Sequence, residues 1–298
     1  MTEVQQLNTG EIASIHTDRL TIVGNIKRDR EGYSPLFMKL LCNPYDTRLQ
    51  VDPYYHHHMY DTKIGVKTEE STACIELNKR KGAKGSDFRL DFNPAKCNEE
   101  DIIFIKEVLH YIVDKRLTKI DMAIDFYHKD FSYYHIEDGR RRTTETRKGA
   151  TGRLETEYRG SRAYADDYIK FYDKTKERLD KKWQKVDHEW FRLEETIRRD
   201  KIQDWEKYEW FNNIKLVPNQ QIPIFPEEIK ATTQSQAFSV IMGFQDIKVF
   251  SSGTQTKIRE AIRIAKFEGE VDVQEEIKKA PYKQMLDDAV QGIKSFLG

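Results

Sequence analysis

The chain has 298 residues, enough for one large domain or two of ordinary size, so it can bury a substantial core without disulfides or a structural metal. Its fifty basic and fifty acidic residues cancel to a formal charge of zero, and the overall basic excess that usually marks a nucleic-acid-binding domain is missing. Cys42, Cys74 and Cys97 are an odd number at spacings that fit no zinc or redox motif, which makes a reduced, cytoplasmic setting the default. The first thirty residues are charged throughout, and no run approaches the ~20 apolar residues of a membrane span, so a soluble protein with no membrane association is expected.

Residues 1 to 14 read as a polar tail, with regular structure beginning at Asp18. Arg19 to Gly24 is a β-branched run that ends at Gly and Asn, and Ala73 to Leu77 and Phe88 to Phe92 are further short strands, the last stopped by Asn93-Pro94. Asn98 caps the clearest helix of the first half: Glu99, Glu100 and Asp101 fill its first turn, and Ile102, Ile105, Leu109 and Ile112 recur at helical spacing. Leu117 to Phe126 alternates as a strand, with Met122, Ile124 and Phe126 on one face and Asp121, Ala123 and Asp125 on the other. Ile169 to Lys174 is another strand, Lys176 to Trp190 a helix and Phe191 to Ile197 a strand. Pro218, Pro223 and Pro226 mark a linker. Beyond it, Ile258 to Phe267 and Val273 to Phe296 have helical periodicity, interrupted at Pro281.

Several groups bear on chemistry. Asp121 and Asp125 share a strand face with small Ala123 between them, and Asp91 and Glu194 are candidates to join them. Such a face needs a metal or a basic partner if buried, and reads as ordinary solvated acids if exposed. His56, His57 and His58 suggest a metal, but consecutive residues splay too far for all three to share one ion, and an aromatic-rich loop is the simpler reading. On a strand, Lys170, Tyr172 and Lys174 share a face opposite Ile169 and Phe171. Flanking ammonium groups would favour the phenolate and hold a phosphate beside it. Between Gly139 and Arg153 a run of bases that includes Arg140, Arg141 and Arg142 faces one acid, Glu145, and forms either a local phosphate-binding footprint or a solvated loop.

The blocks Thr21-Ile22-Val23-Gly24-Asn25, Phe88 to Pro94 and Ile120 to Phe126 stand in the order found in replication initiators of small Gram-positive rolling-circle plasmids. Glu157 to Arg162, Ile169 to Arg178, Trp190 to Glu194 and Arg198-Arg199-Asp200 extend the match, which continues weakly through Ser251 to Ile262, and the chain resembles that family over about four fifths of its length. The resemblance implies an α+β fold: an antiparallel-sheet catalytic domain of relaxase and replication-initiator type with helices over 15–216, and a C-terminal helical origin-recognition region over 217–298. It implies that Tyr172 nicks one strand of a plasmid origin by transesterification, leaving a 5′-phosphotyrosine link and a free 3′-hydroxyl, and rejoins the strand in a topoisomerase-like closing step. Lys170, Lys174, Arg162 and Arg192 would neutralise the phosphate. Mg²⁺ or Mn²⁺ would be held by Asp121, Glu194 and either Asp91 or Asp125. The segment similar to Ser251 to Lys257 selects the origin in that family, so Thr254, Gln255, Thr256, Lys257 and Arg259 are the expected DNA-binding residues, with Arg140, Arg141 and Arg142 as the other candidates. Origin DNA, a host superfamily 1 helicase (PcrA type) and a second copy of the chain in a homodimer are the implied partners. Lys170 departs from members that carry Arg there. Relaxases of conjugative elements resemble the same family, and a non-catalytic origin-binding regulator or a metal-dependent nuclease would share many of these features.

Overall fold

A strand that alternates apolar and polar residues presents two unlike faces, and the sheet at the centre of this chain is built from such strands. The computed structural model describes residues 12–41, 48–52, 59–68, 71–181, 186–219, 223–267 and 269–298. The histidine triplet at 56–58 and Cys42 lie outside them. The first half runs β1 (Ile12–Ile26), α1 (Pro35–Leu41), β2 (Leu49–Val51), β3 (Tyr60–Lys67), β4 (Thr72–Lys79), β5 (Phe88–Phe92), α2 (Glu99–His110) and β6 (Ile112–Tyr127). Then follow β7 (Tyr134–Glu137), β8 (Thr144–Lys148), β9 (Leu154–Arg159), β10 (Asp167–Asp173), α3 (Lys174–Asp180) and β11 (Trp190–Arg198). The remainder is β12 (Lys215–Pro218), β13 (Pro223–Ile224), α4 (Ala231–Ile241), α5 (Ser252–Ile264), β14 (Lys266–Phe267), β15 (Val271–Asp272), α6 (Val273–Ile277) and α7 (Tyr282–Leu297).

Ten strands form one antiparallel sheet in the order β2-β3-β4-β5-β1-β6-β11-β10-β9-β8. The expected α+β architecture is therefore present. One face collects Leu20, Ile22, Leu90, Ile120, Met122, Ile124, Phe171 and Leu193, all buried. α7 packs on β1 across this face and sets Phe296 edge-on to Phe92 with ring centroids 5.1 Å apart. Further along it, Phe126, Phe131, Phe171 and Phe191 pack edge-to-face and tilted at 5.3 to 6.5 Å. The other face carries the charged residues.

The cap of α2 is as expected: the Asn98 side chain accepts from the Asp101 backbone N–H at 2.9 Å, and the Asp101 carboxylate accepts from that of Asn98 at 3.1 Å. Three expectations need correction. Among the described residues β1 already runs from Ile12, because it finds twelve partners along β6 and so extends well ahead of Asp18, taking in residues 12 to 14 of the expected tail. The helix expected from Lys176 to Trp190 is α3, which starts at Lys174 under an Asp173 cap and ends at Asp180, while Trp190 opens β11. The region from 217 onward is not one helical unit. β12 spans the expected boundary, between β7 and β15 in a three-stranded sheet, and α7 returns to the main core. Between β13 and β14, which pair with each other, α4 and α5 pack around a small core of their own, Ala237, Ile258 and Ala261. No helix of the described residues is long and apolar enough to cross a membrane.

Glu157, Asp167 and Glu195 are acids buried on the apolar face, opposite Phe171, Ile197 and Met122. Glu195 is 1% exposed, accepts from the Tyr208 hydroxyl at 2.8 Å and from the Phe211 N–H at 2.6 Å, and burial pushes its carboxyl up to about 7. The folded state therefore binds this proton more tightly than the unfolded chain. The resulting stability is fully present below the ordinary pKa of 4.5 and is lost as pH rises towards about 7. The expected outcome is a loss of up to about 3 kcal/mol across that window, absent in Glu195→Gln, which like the protonated acid is neutral, its amide oxygen accepting from the Phe211 N–H and its NH2 donating to the Tyr208 oxygen. Denaturant unfolding at a series of pH values checks it; parallel curves for the two proteins would refute it.

Candidate active site

The charged face of the sheet is organised by strand register. Across neighbouring strands, Lys170 on β10 pairs with Glu194 on β11 and Tyr172 with Arg192, while Arg192 pairs with Asp125 on β6 and Thr196 with Asp121. Directly opposed residues share a face, so alternation brings these side chains together. Near the start of the sheet, a bulge in β1 between Thr17 and Arg19 leaves Asp18 unpaired and turns it towards Arg192.

Tyr172 lies at the centre. Its hydroxyl donates to Glu194 Oε1 at 2.6 Å and accepts from Lys174 Nζ at 3.1 Å. Lys170 Nζ sits 3.5 Å from the ring centroid and 3.5 Å from Glu194 Oε2, and Lys174 Nζ also donates to Glu177 at 2.5 Å. Thus Lys174, although it opens α3 instead of closing β10, still reaches the tyrosine. Burial, then the Glu194 carboxylate, push the phenol well above its ordinary value. Burial also raises Glu194 against the opposing pull of Lys170, and burial followed by the nearby Arg192 charge lowers Lys174. The expected phenolate is therefore corrected. The site holds a neutral phenol hydrogen-bonded to a carboxylate of raised proton affinity, which is placed to accept the phenol's proton.

Behind Tyr172, Arg192 is buried. Its Nε and one terminal nitrogen donate to Asp125 at 2.7 and 2.9 Å, and the other terminal nitrogen donates to Asp18 at 2.6 Å. Burial alone would lower the guanidinium, but Asp125 and then Asp18 outweigh it and hold it above its usual value. Asp125 also accepts from Trp190 Nε1 at 2.7 Å and Ser14 Oγ at 3.1 Å.

A cleft of about 580 Å³ opens in front of these residues. It is lined by Tyr172, Glu194, Lys170, Lys174 and Arg162, by Asp91 and Asp121, and by the unpredicted Asp18, Arg19 and Lys119. Arg192 and Asp125 do not line it, so of the alternatives Asp91 and Asp125 only the former reaches the cleft. The carboxylates proposed for a metal are all engaged. Asp91 accepts from Arg19 at 2.5 Å, Arg89 at 2.7 Å and Thr21 at 3.1 Å, and Asp121 from Lys119 at 2.6 Å and Thr196 at 2.7 Å. Among the described residues no three His, Cys, Asp or Glu side chains are grouped so as to hold an ion. As arranged, a divalent cation would have to displace Lys119 from Asp121 and Lys170 from Glu194.

The expected DNA-binding residues lie apart from the cleft. Arg140 and Arg142 are committed to Asp138 and Asp167: Arg140 donates to Asp167 at 2.8 Å, and Arg142 approaches Asp138 at 2.9 Å and Asp167 at 2.6 Å. Arg141 is exposed, and among the described residues it alone of the three has no such pair. On α5, Lys257 and Arg259 are exposed, as is Thr256, whose hydroxyl donates to the Ser252 carbonyl at 3.2 Å. The Gln255 amide donates to the Phe250 carbonyl at 2.8 Å and accepts from Arg259 at 3.1 Å, and Thr254 bonds the Ser251 hydroxyl at 2.9 Å. Sequence reasoning missed Asp18, Thr196 and Lys119. The last two were within reach, since they alternate with residues already assigned to the charged face; Asp18 depends on the bulge.

No family model matches the chain. It is 25% identical over 274 residues to a replication initiation protein of Staphylococcus aureus, a match that covers 90% of this chain and 81% of that relative. A second such protein from the same organism is 27% identical over 254 residues, covering 84% and 75%, and a third is 30% identical over 194 residues, covering 63% and 57%. Among solved structures, a rolling circle replication initiator protein from Geobacillus stearothermophilus aligns with a TM-score of 0.38 at 14% identity, over 63% of this chain and 75% of that one.

The enclosure of Asp125 separates two roles. As the partner of a buried guanidinium, its removal strands a charge, and Asp125→Ala is expected to lower unfolding free energy by about 3 to 5 kcal/mol. Denaturant titration measures this. A variant of unchanged stability that loses only metal-stimulated activity would make Asp125 a ligand instead.

Proposed function

Since this chain is a relative of the Staphylococcus aureus replication initiation proteins, we propose that it is a rolling-circle replication initiator that nicks one strand of a plasmid origin with Tyr172. The observation that carries the chemistry is the contact of 2.6 Å between the Tyr172 hydroxyl and Glu194, in a cleft rich in lysine and arginine. The Tyr172 oxygen attacks the phosphorus while its proton passes to Glu194 Oε1. The bond from phosphorus to the 3′ oxygen breaks, and that oxygen takes a proton from water in the open cleft. The products are a 5′-phosphotyrosine ester and a free 3′-hydroxyl that primes synthesis. Because one phosphoester replaces another, the reverse attack rejoins the strand without an external energy source, with Glu194 returning its proton to the tyrosine. Lys170, Lys174 and Arg162 stabilise the charge on the phosphoryl oxygens, and Arg192 holds Asp125 and the strand beneath Tyr172 in place.

The strand must be unpaired where it is cut, because a tyrosine seated in a sheet cannot reach into stacked duplex. Mg²⁺ or Mn²⁺ belongs to this proposal as an ion that Asp121, Asp91 and Glu194 Oε2 would hold once Lys119 and Lys170 turn to the bound phosphodiester; it would polarise the scissile phosphate, with Glu194 Oε1 left for the tyrosine proton. Extension from the nick needs duplex unwinding, so a host superfamily 1 helicase is the expected partner, with a homodimer as the expected assembly.

Incubation with supercoiled or single-stranded origin DNA, followed by denaturing SDS electrophoresis, tests the reading. The expected product is a covalent protein-DNA complex, abolished in Tyr172→Phe and by EDTA. In Glu194→Gln its formation is slowed about 100-fold or more, and the rise in wild-type rate with pH as Glu194 deprotonates disappears. Cleaved DNA without adduct would indicate a hydrolytic nuclease, and binding without cleavage a regulator.

For origin recognition, α5 supplies Arg259 as the base reader and Lys257 as a phosphate contact. Lys257→Ala should weaken binding to all duplexes alike and flatten the salt dependence by about one phosphate contact. Arg259→Ala should lower the ratio of specific to non-specific affinity by about 1 to 3 kcal/mol. Filter binding over a salt series distinguishes them, and an unchanged ratio in the arginine variant would place recognition elsewhere.

A further inference from the structure

Two arginines where β11 ends hold the loop between β9 and β10 by its carbonyls. Arg198 donates from Nε to the Ala165 carbonyl at 2.9 Å, and from a terminal nitrogen to those of Arg162 at 2.6 Å and Ser161 at 3.4 Å. Arg199 donates to the carbonyls of Tyr164 at 2.5 Å and Ala163 at 2.9 Å. Every carbonyl from residue 161 to 165 is thus turned onto a guanidinium. The loop also closes on itself, with the Tyr164 N–H donating to Ser161 Oγ at 3.2 Å and the Ala165 N–H to the Ser161 carbonyl at 3.0 Å. Arg199 adopts a left-handed backbone with φ of 54°, uncommon for a residue with a side chain, and the hydrogen bonds from its guanidinium help offset that strain.

What this pinned loop presents is unusual. Tyr164 is 81% exposed, and among the described residues no ring or cation stacks on it. Two residues earlier in the same loop, Arg162 lies over the Tyr158 ring at 4.3 Å, and both line the Tyr172 cleft, as does Tyr168. A large ring kept in water by a loop held this firmly gains nothing for folding. It is, however, already ordered for a planar partner, so binding loses little conformational entropy. Aromatic faces interleaved with cations along a groove suit a single strand, whose bases stack while its phosphates meet the charges.

We propose that Tyr164 is a stacking platform for an unpaired base of the DNA strand whose phosphate enters the Tyr172 cleft. The site takes a nucleobase by its flat face, with little preference among bases, and the adjoining Arg162 takes the phosphate. This rests on the reading of the cleft as a single-strand nicking site. Tyr164 acts as a positioning residue, holding the strand in register with the nucleophile without touching the reacting atoms.

Fluorescence anisotropy with a short labelled oligothymidylate, and with a duplex of equal length, tests the platform. Tyr164→Ala should weaken single-strand binding about 5- to 100-fold, while Tyr164→Phe, which keeps the ring, stays within about twofold. Duplex binding should be unchanged in both. In the adduct assay the alanine variant should need correspondingly more single-stranded DNA for half-maximal rate, with the rate at saturation retained. Single-strand affinity unchanged in Tyr164→Ala, or lost to the same degree as duplex affinity, would overturn the platform. If the wild type forms the covalent adduct while the alanine variant binds normally, the platform alone is wrong. If the wild type binds no single strand, the platform falls together with the nicking reading.

Discussion

Arg192 is buried between two carboxylates, and the desolvation of its guanidinium constrains the strands that carry the cleft residues. Removing such a charge from water costs several kcal/mol unless its donors are matched, and here Asp125 on β6 takes two of them and Asp18 on β1 a third. This network fixes the register of β11, which bears Glu194, against β6 and β1, and backbone pairing with β11 sets that of β10, which bears Tyr172. A slip of one residue in β11 would turn Arg192 into the phenylalanine cluster and Leu193 into the cleft. The bulge that delivers Asp18 completes the neutralisation.

With the frame set in this way, Tyr172 and Glu194 share a proton-rich resting state. Burial raises both the Tyr172 phenol and the Glu194 carboxyl. A phenol so raised does not ionise spontaneously near neutral pH, and a carboxylate so raised becomes a stronger base at hydrogen-bond distance. The lysines on either side offset part of the charge without releasing the proton. The same lysines and arginines tie up the acids of the cleft, so an entering phosphate would meet cations already paired and would have to exchange one anion for another.

Two parts of the chain that follow β12 serve different purposes. α7 closes the apolar face over β1 and contributes Phe296 to the main core. By contrast, the segment from β13 to β14 keeps a small core of its own and presents the cationic residues of α5 outward. Two committed arginine groups, Arg140 with Arg142 and Arg198 with Arg199, are used for architecture. The first neutralises Asp138 and Asp167, and the second clamps the loop that carries Arg162 and Tyr164.

Alternation in the sequence was enough to place Met122, Ile124 and Phe126 on one face of β6 and Asp121, Ala123 and Asp125 on the other, and likewise Lys170 and Tyr172 opposite Ile169 and Phe171. A period of two needs no tertiary information. The cap at Asn98 was legible for the same reason, since both of its hydrogen bonds lie within one turn. The order of motifs pointed to Tyr172. The sequence could not show that Glu194 would face the tyrosine, that Asp125 would be enclosed by Arg192 and Trp190, or that a bulge would turn Asp18 into the site, because each depends on which strands become neighbours and in what register. Nor could a run of arginines reveal which of them would be consumed by buried acids. The sign of the Tyr172 shift was likewise decided by the fold: flanking lysines suggested a lowered phenol, but burial and a carboxylate brought in from the next strand outweigh them, and both arise only when the sheet closes around the ring.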